Sequence, residues 1–134
     1  MNEATKDFIG QWLSKANEDL LVVERLTETE IIAATAVCFH CQQAVEKFLK
    51  AFLITNGIDV KKTHNIEFLL SECADIDKDF NEVDPKELSD FGVDARYPGD
   101  MYIPDEKEIL EYKRIAFEIK EKVEDKIREI LKKI

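Results

Sequence analysis

Residues 38–53 read CFHCQQAVEKFLKAFL. Two readings compete for this stretch. It is either a Cys-x-x-Cys with an internal histidine or the middle of a helix. Cys41, Val45, Phe48 and Phe52 recur at steps of four and three, with Ala34 and Val37 or Cys38 before them. That is the period of an α-helix. Gly57 follows where a left-handed cap would close it. The spacing predicts a helix over 31–56 with both cysteines on its apolar stripe. Ile31, Ile32, Phe39, Leu49, Leu53 and Ile54 widen the apolar coverage. A helix apolar over most of its circumference belongs at the centre of a bundle or against a second chain.

Helical phase also weighs the chemistry. A structural zinc site needs about four convergent ligands. His40 points away from the face shared by Cys38 and Cys41, so closing a site would take His64 and Cys73. Redox pairs sit at helix N-termini, where the dipole favours thiolate. This pair lies well inside its helix. The cysteines are therefore expected to pack as small hydrophobes, and no metal or cofactor is expected.

The same period runs through the rest of the chain. Ile9, Leu13, Ala16, Leu20 and Val23 form a stripe over residues 5–27. Ile66, Phe68, Leu69, Leu70 and Cys73 open a third helix, capped by Thr63 or Asn65. Asp84-Pro85-Lys86-Glu87 is a helix start signal for a short fourth helix toward Val93 or Ala95. Asp105 with Glu108 caps a last helix over 105–134, striped by Ile109, Tyr112, Ala116, Ile119, Val123, Ile127, Ile130 and Ile134. At ~1.5 Å per residue that rod is about 44 Å long. No strand-like alternation is present. The expected fold is all-α: one domain over 1–134, an up-and-down bundle of four to five helices with a long C-terminal helix.

Composition agrees. The 134 residues are 45% hydrophobic and 36% charged, with four glycines and three prolines. No apolar run approaches the ~20 residues of a membrane span. The N-terminal MNEATKDFIGQW has no basic leader with an apolar core, and three cysteines suit no disulfide framework, so a cytoplasmic location is expected. The net charge is −10, and residues 65–104 carry 11 acids against 3 bases. Such an acidic belt argues against a dedicated DNA-binding surface, because duplex binding rests on phosphate neutralisation. No phosphate-cradling glycine loop or nucleophile elbow is present.

Two polar stripes remain on the second helix: His40, Gln43 and Lys47, and beside them Gln42, Glu46 and Lys50. They read either as an exposed face or as a contact surface or cleft wall. With Phe39, the first stripe is a candidate interface. Arg96 is the one basic residue between Lys86 and Lys107, in a Pro/Gly loop among acids. A lone arginine there pairs with a carboxylate or faces an anion. Tyr97 and Tyr102 beside it suit stacking on a base. His64 and Lys47 complete the candidate ligand-binding set.

The runs FHCQQAVEKFLKAFL (39–53), KTHNIEFLL (62–70) and ARYPGD (95–100), followed by a long final helix, resemble the HEPN domain family over nearly the whole chain. The resemblance implies a helical bundle that forms a homodimer and pairs with a minimal nucleotidyltransferase, often as toxin and antitoxin, with nucleotide or RNA as ligand. It also implies two alternatives: a metal-independent endoribonuclease toxin, or a non-catalytic nucleotide-binding module. Ribonuclease members carry an arginine followed by a histidine near the start of the last helix. Arg96 matches the arginine. The histidine positions hold Met101, Tyr102 and Ile103, and no histidine follows His64. Cleavage then lacks its proton carrier, and Tyr102, with an ordinary pKa near ~10, is a poor substitute. A non-enzymatic role is the expected one, with ribonuclease activity as the alternative.

Overall fold

The computed structural model describes residues 1–92 and 103–133. Among these residues four α-helices form: α1 Glu3–Thr27, α2 Ala34–Thr55, α3 Ile66–Ile76 and α4 Glu106–Lys132. Two 3-10 turns, Lys78–Glu82 and Leu88–Phe91, lie between α3 and α4. The described residues contain no strand. The expected all-α bundle with a long last helix is present.

Each of α1, α3 and α4 starts where the sequence supplies a cap. The Asn2 side chain accepts from Thr5 N at 2.8 Å, and the Asn65 side chain accepts from Phe68 N at 2.9 Å. Asp105 and Glu108 form a reciprocal capping box, bonding each other's backbone N–H at 2.8 and 3.1 Å. These bonds satisfy N–H groups that a helix start leaves without partners. At the end of α2, Gly57 takes φ 78°. Its N–H reaches Ile54 O and that of Ile58 reaches Leu53 O, both at 3.0 Å. This is the left-handed closure that glycine permits.

The second helix is the axis of the bundle. It packs against α1, α3, α4 and the Leu88–Phe91 turn. Val37, Cys38, Cys41, Ala44, Val45, Phe48, Leu49, Ala51, Phe52 and Leu53 are all buried. Its wide apolar coverage is thus met from within one chain. Asp19 reaches both His40 and Lys47, which seats α1 along α2. Asn17 bonds Glu124 at 2.9 Å and Lys113 bonds Thr27 at 3.0 Å, so α4 runs antiparallel to α1. The chain passes from α2 to α3 through the loop at 56–65. It passes from α3 to α4 through the segment holding the 3-10 turns.

That second connection departs from expectation. The start signal at Asp84 opens no α-helix. Asp84 instead accepts from Lys86 N at 2.9 Å in a local turn, and Lys86 takes φ 52°, which an α-helix cannot accommodate. Among the described residues of that stretch, only Leu88–Phe91 coils, as a 3-10 turn, with Leu88 and Phe91 buried. The remainder of that expected helix, 93–95, lies outside the described residues. The charged connection before it also folds inward. Phe80 is buried and its ring lies 4.7 Å from that of Phe52.

Candidate functional site

The three cysteines are buried and unbridged. Burial, with a smaller push from Glu108, raises the Cys38 thiol to about 12. Burial, with Glu72, takes Cys73 to about 12 as well. Burial again, then Cys38, pushes Cys41 up. A thiolate is the reactive form of cysteine, so these side chains are packing elements. Among the described residues, no group of three or more His, Cys, Asp or Glu side chains is placed to hold a metal ion.

The two polar stripes of α2 face in different directions, and each closes around one carboxylate. Asp19 on α1 is buried. It takes His40 Nδ1 at 2.9 Å on one oxygen and Lys47 Nζ on the other. Two candidates from the sequence, His40 and Lys47, are thereby tied inside the α1–α2 seam. Gln43 donates to Gln42 Oε1 at 2.6 Å. Phe39 is half-buried, its ring edge-on to His40 at 5.2 Å.

The second stripe corrects the exposed reading. Gln42, Glu46 and Lys50 are 0%, 5% and 5% accessible. Glu46 accepts from Lys50 Nζ at 2.9 Å and from Gln42 Nε2 at 3.3 Å. Its remaining partner comes from the loop before α3: His64 Nδ1 lies 2.7 Å from Glu46 Oε1. Gln42 Nε2 also donates to the His64 carbonyl at 3.0 Å. Buried charges persist only when paired and hydrogen-bonded in this way. The imidazole itself is 55% exposed. Nδ1 faces the carboxylate, which leaves Nε2 as the second nitrogen of a half-exposed ring.

The far wall of this site is Gly92. A side chain there would meet His64 Cβ at 3.7 Å and Gln42 Nε2 at 3.8 Å. The end of the Leu88–Phe91 turn therefore sits directly on the Gln42–Glu46–His64 cluster. Ser89 anchors the same turn to α3: its hydroxyl accepts from Ile66 N at 2.8 Å and donates to Glu67 at 2.7 Å. Arg96, Tyr97 and Tyr102 come later in the sequence and lie outside the described residues. Of the candidate ligand-binding set, His64 stands at this site, whereas Lys47 belongs to the Asp19 cluster. Sequence reasoning placed Glu46 on a polar stripe without its partners and passed over Asp19. The four-residue spacing of Gln42, Glu46 and Lys50 was visible. The loop that returns His64 to them was not.

The sequence profile of the HEPN domain matches residues 9–129. The chain belongs to the HEPN domain family. The match spans all four helices, so the HEPN chain is covered from α1 into the last turns of α4. No curated protein and no solved structure matches it. Among the described residues, no helix of this HEPN domain is long and apolar enough to cross a membrane.

Proposed function

We propose that this HEPN chain is a nucleotide- or RNA-binding module that works as a homodimer beside a minimal nucleotidyltransferase, in a pair of the toxin–antitoxin type. The ligand reading rests on one observation: His64, oriented by buried Glu46, presents a half-exposed imidazole beside Gly92, just ahead of Arg96 in the chain. An imidazole and a guanidinium suit a phosphate-bearing ligand through charge-assisted hydrogen bonds. The dimer reading draws support from α1 and α4. Leu21, Ile31, Ile103 and Leu110 are 49%, 88%, 77% and 54% exposed, on or next to those two helices.

A thermal-shift screen with nucleotides tests the ligand. At ~100 times the dissociation constant, a ligand adds about 2.7 kcal/mol of stability. The shift should be lost in His64→Ala and in Arg96→Ala. A flat response across nucleotides ends the ligand reading. Co-expression with the adjacent gene product, followed by size exclusion with light scattering, tests the pairing. A monomer that never co-elutes with a nucleotidyltransferase ends that part.

The endoribonuclease reading keeps one observation in its favour. A carboxylate-oriented imidazole in a half-exposed position is the arrangement a general acid–base needs. RNA cleavage in the presence of a chelator, abolished in both His64→Ala and Arg96→Ala, would establish it. No cleavage, or equal cleavage by wild type and variants, would exclude it.

A further inference from the structure

A groove of about 850 Å³ lies between the start of α1 and the loop leaving α2, with Lys50 in its wall. Its size falls in the range of about 300–1,000 Å³ that holds small organic ligands. Phe8, Trp12, Ile58, Val60, Lys61 and Lys62 line it. Phe8 is 49% exposed and meets Trp12 edge-on at 6.1 Å. Lys50 Nζ lies 5.7 Å from the Trp12 ring centroid, and Lys61 Nζ lies 5.1 Å from that of Phe68. Neither Lys61 nor Lys62 has an ion-pair partner among the described residues, although acids outnumber bases by ten in the chain. The Trp12 Nε1–H is buried and has no hydrogen-bond partner among the described residues, so the indole is held by packing and by the Lys50 ammonium over its ring.

We propose that this groove is a second binding site, for a small organic anion carrying a planar ring. The ring lies against Phe8 and Trp12, and the anion meets Lys61 and Lys62. Aromatic faces and edges attract a flat ring, and two ammonium groups on consecutive residues, neither ion-paired among the described residues, attract one compact anion. A long polyanion is disfavoured. Among the described residues only three basic ones line the groove, one of them the buried, ion-paired Lys50, Asp59 lines it as well, and the chain as a whole is strongly acidic. The groups that would meet the ligand, Phe8, Trp12, Lys61 and Lys62, are separate from His64, although Lys50 in the groove wall pairs with the same Glu46.

Trp12 is the sole tryptophan of the chain, so its fluorescence reports this groove directly. The full chain is titrated with AMP as the probe, alongside adenosine, inorganic phosphate and an oligoadenylate. The expected result is a saturable change in Trp12 emission with AMP, a weaker one with adenosine, and none with phosphate. Joint replacement Lys61→Glu and Lys62→Glu should weaken AMP roughly tenfold, the worth of one charge-assisted contact. Phe8→Ala should weaken AMP and adenosine alike. Both sets of changes lie on exposed residues, and unchanged circular dichroism and melting confirm that the fold is intact. His64→Ala should leave the Trp12 response unchanged. The proposal is overturned by an absent or non-saturating response, by indifference to charge reversal, or by loss of the response in His64→Ala. Affinity that climbs steadily with oligonucleotide length overturns it in favour of a nucleic-acid groove.

Discussion

Glu46 and His64 lie 18 residues apart in sequence and meet through a 2.7 Å hydrogen bond. That bond pins the loop before α3 to the middle of α2. It also leaves Glu46, 7% exposed at its side chain, holding Lys50 at 2.9 Å on its other oxygen.

Glu46→Ala should therefore act as the breaking of a buried pair. Lys50 would remain as an ammonium without its carboxylate. A cost of about 3–5 kcal/mol is expected in urea unfolding. Replacing Glu46 and Lys50 together by leucine should cost much less, because no buried charge is stranded. A loss below ~1 kcal/mol for Glu46→Ala would place the pair with ordinary surface ion pairs instead.

Asp19 carries the other polar stripe. Asp19→Ala leaves His40 and Lys47 without their shared acceptor and should cost about 1–3 kcal/mol. A double-mutant cycle with Lys47→Ala should show coupling of at least ~0.5 kcal/mol. Strict additivity would mean that the contact contributes nothing to the α1–α2 seam.

The thiols should be silent in the native protein. Cys38 and Cys73 sit at about 12 because burial disfavours thiolate, and Cys41 is raised by the same cause. An aromatic disulfide reagent at neutral pH should find none of the three on the time scale of exposed cysteine and all three after denaturation. One rapidly reacting thiol in the native state would contradict the buried placement.

Asp77 sets part of the acid limit. Its carboxylate accepts from Lys126 Nζ at 2.7 Å and from Asp79 N at 3.0 Å. These bonds, the one from Lys126 foremost, hold it below the ordinary 3.8. A carboxylate whose pKa is lower in the folded state contributes fully above its unfolded value. The contribution is lost as pH falls through the folded one. Stability should decline below about pH 4. Asp77→Asn should be less stable than wild type at neutral pH and should converge on it in acid. Parallel curves at every pH would remove Asp77 from the acid transition.

Much of this fold is legible in the chain. The period of Cys41, Val45, Phe48 and Phe52 places α2, Asp105 with Glu108 marks where α4 begins, and the start of α3 is narrowed to Thr63 or Asn65, of which Asn65 is the cap. The cysteines are read as core from phase alone. Asp84-Pro85 misleads, because a start signal also suits a local turn. The backbone at Lys86, with φ 52°, is settled by the burial of Leu88 and Phe91 against the bundle. Local preference is a small term, and packing overrides it.

By itself, the sequence determined the four α-helices of the described residues, the cap of the last one and the family, because each is written in short-range spacing. It could not assign the polar stripes of α2. His40 and Lys47 answer to Asp19 on another helix, and Glu46 answers to a loop that doubles back along α2. Those pairings depend on the direction in which the chain returns, which no local period encodes. Burial then makes each carboxylate demand its partners, since an unpaired charge there is costly. Only the tertiary structure decided that one stripe locks α1 to α2 while the other presents His64 beside Gly92.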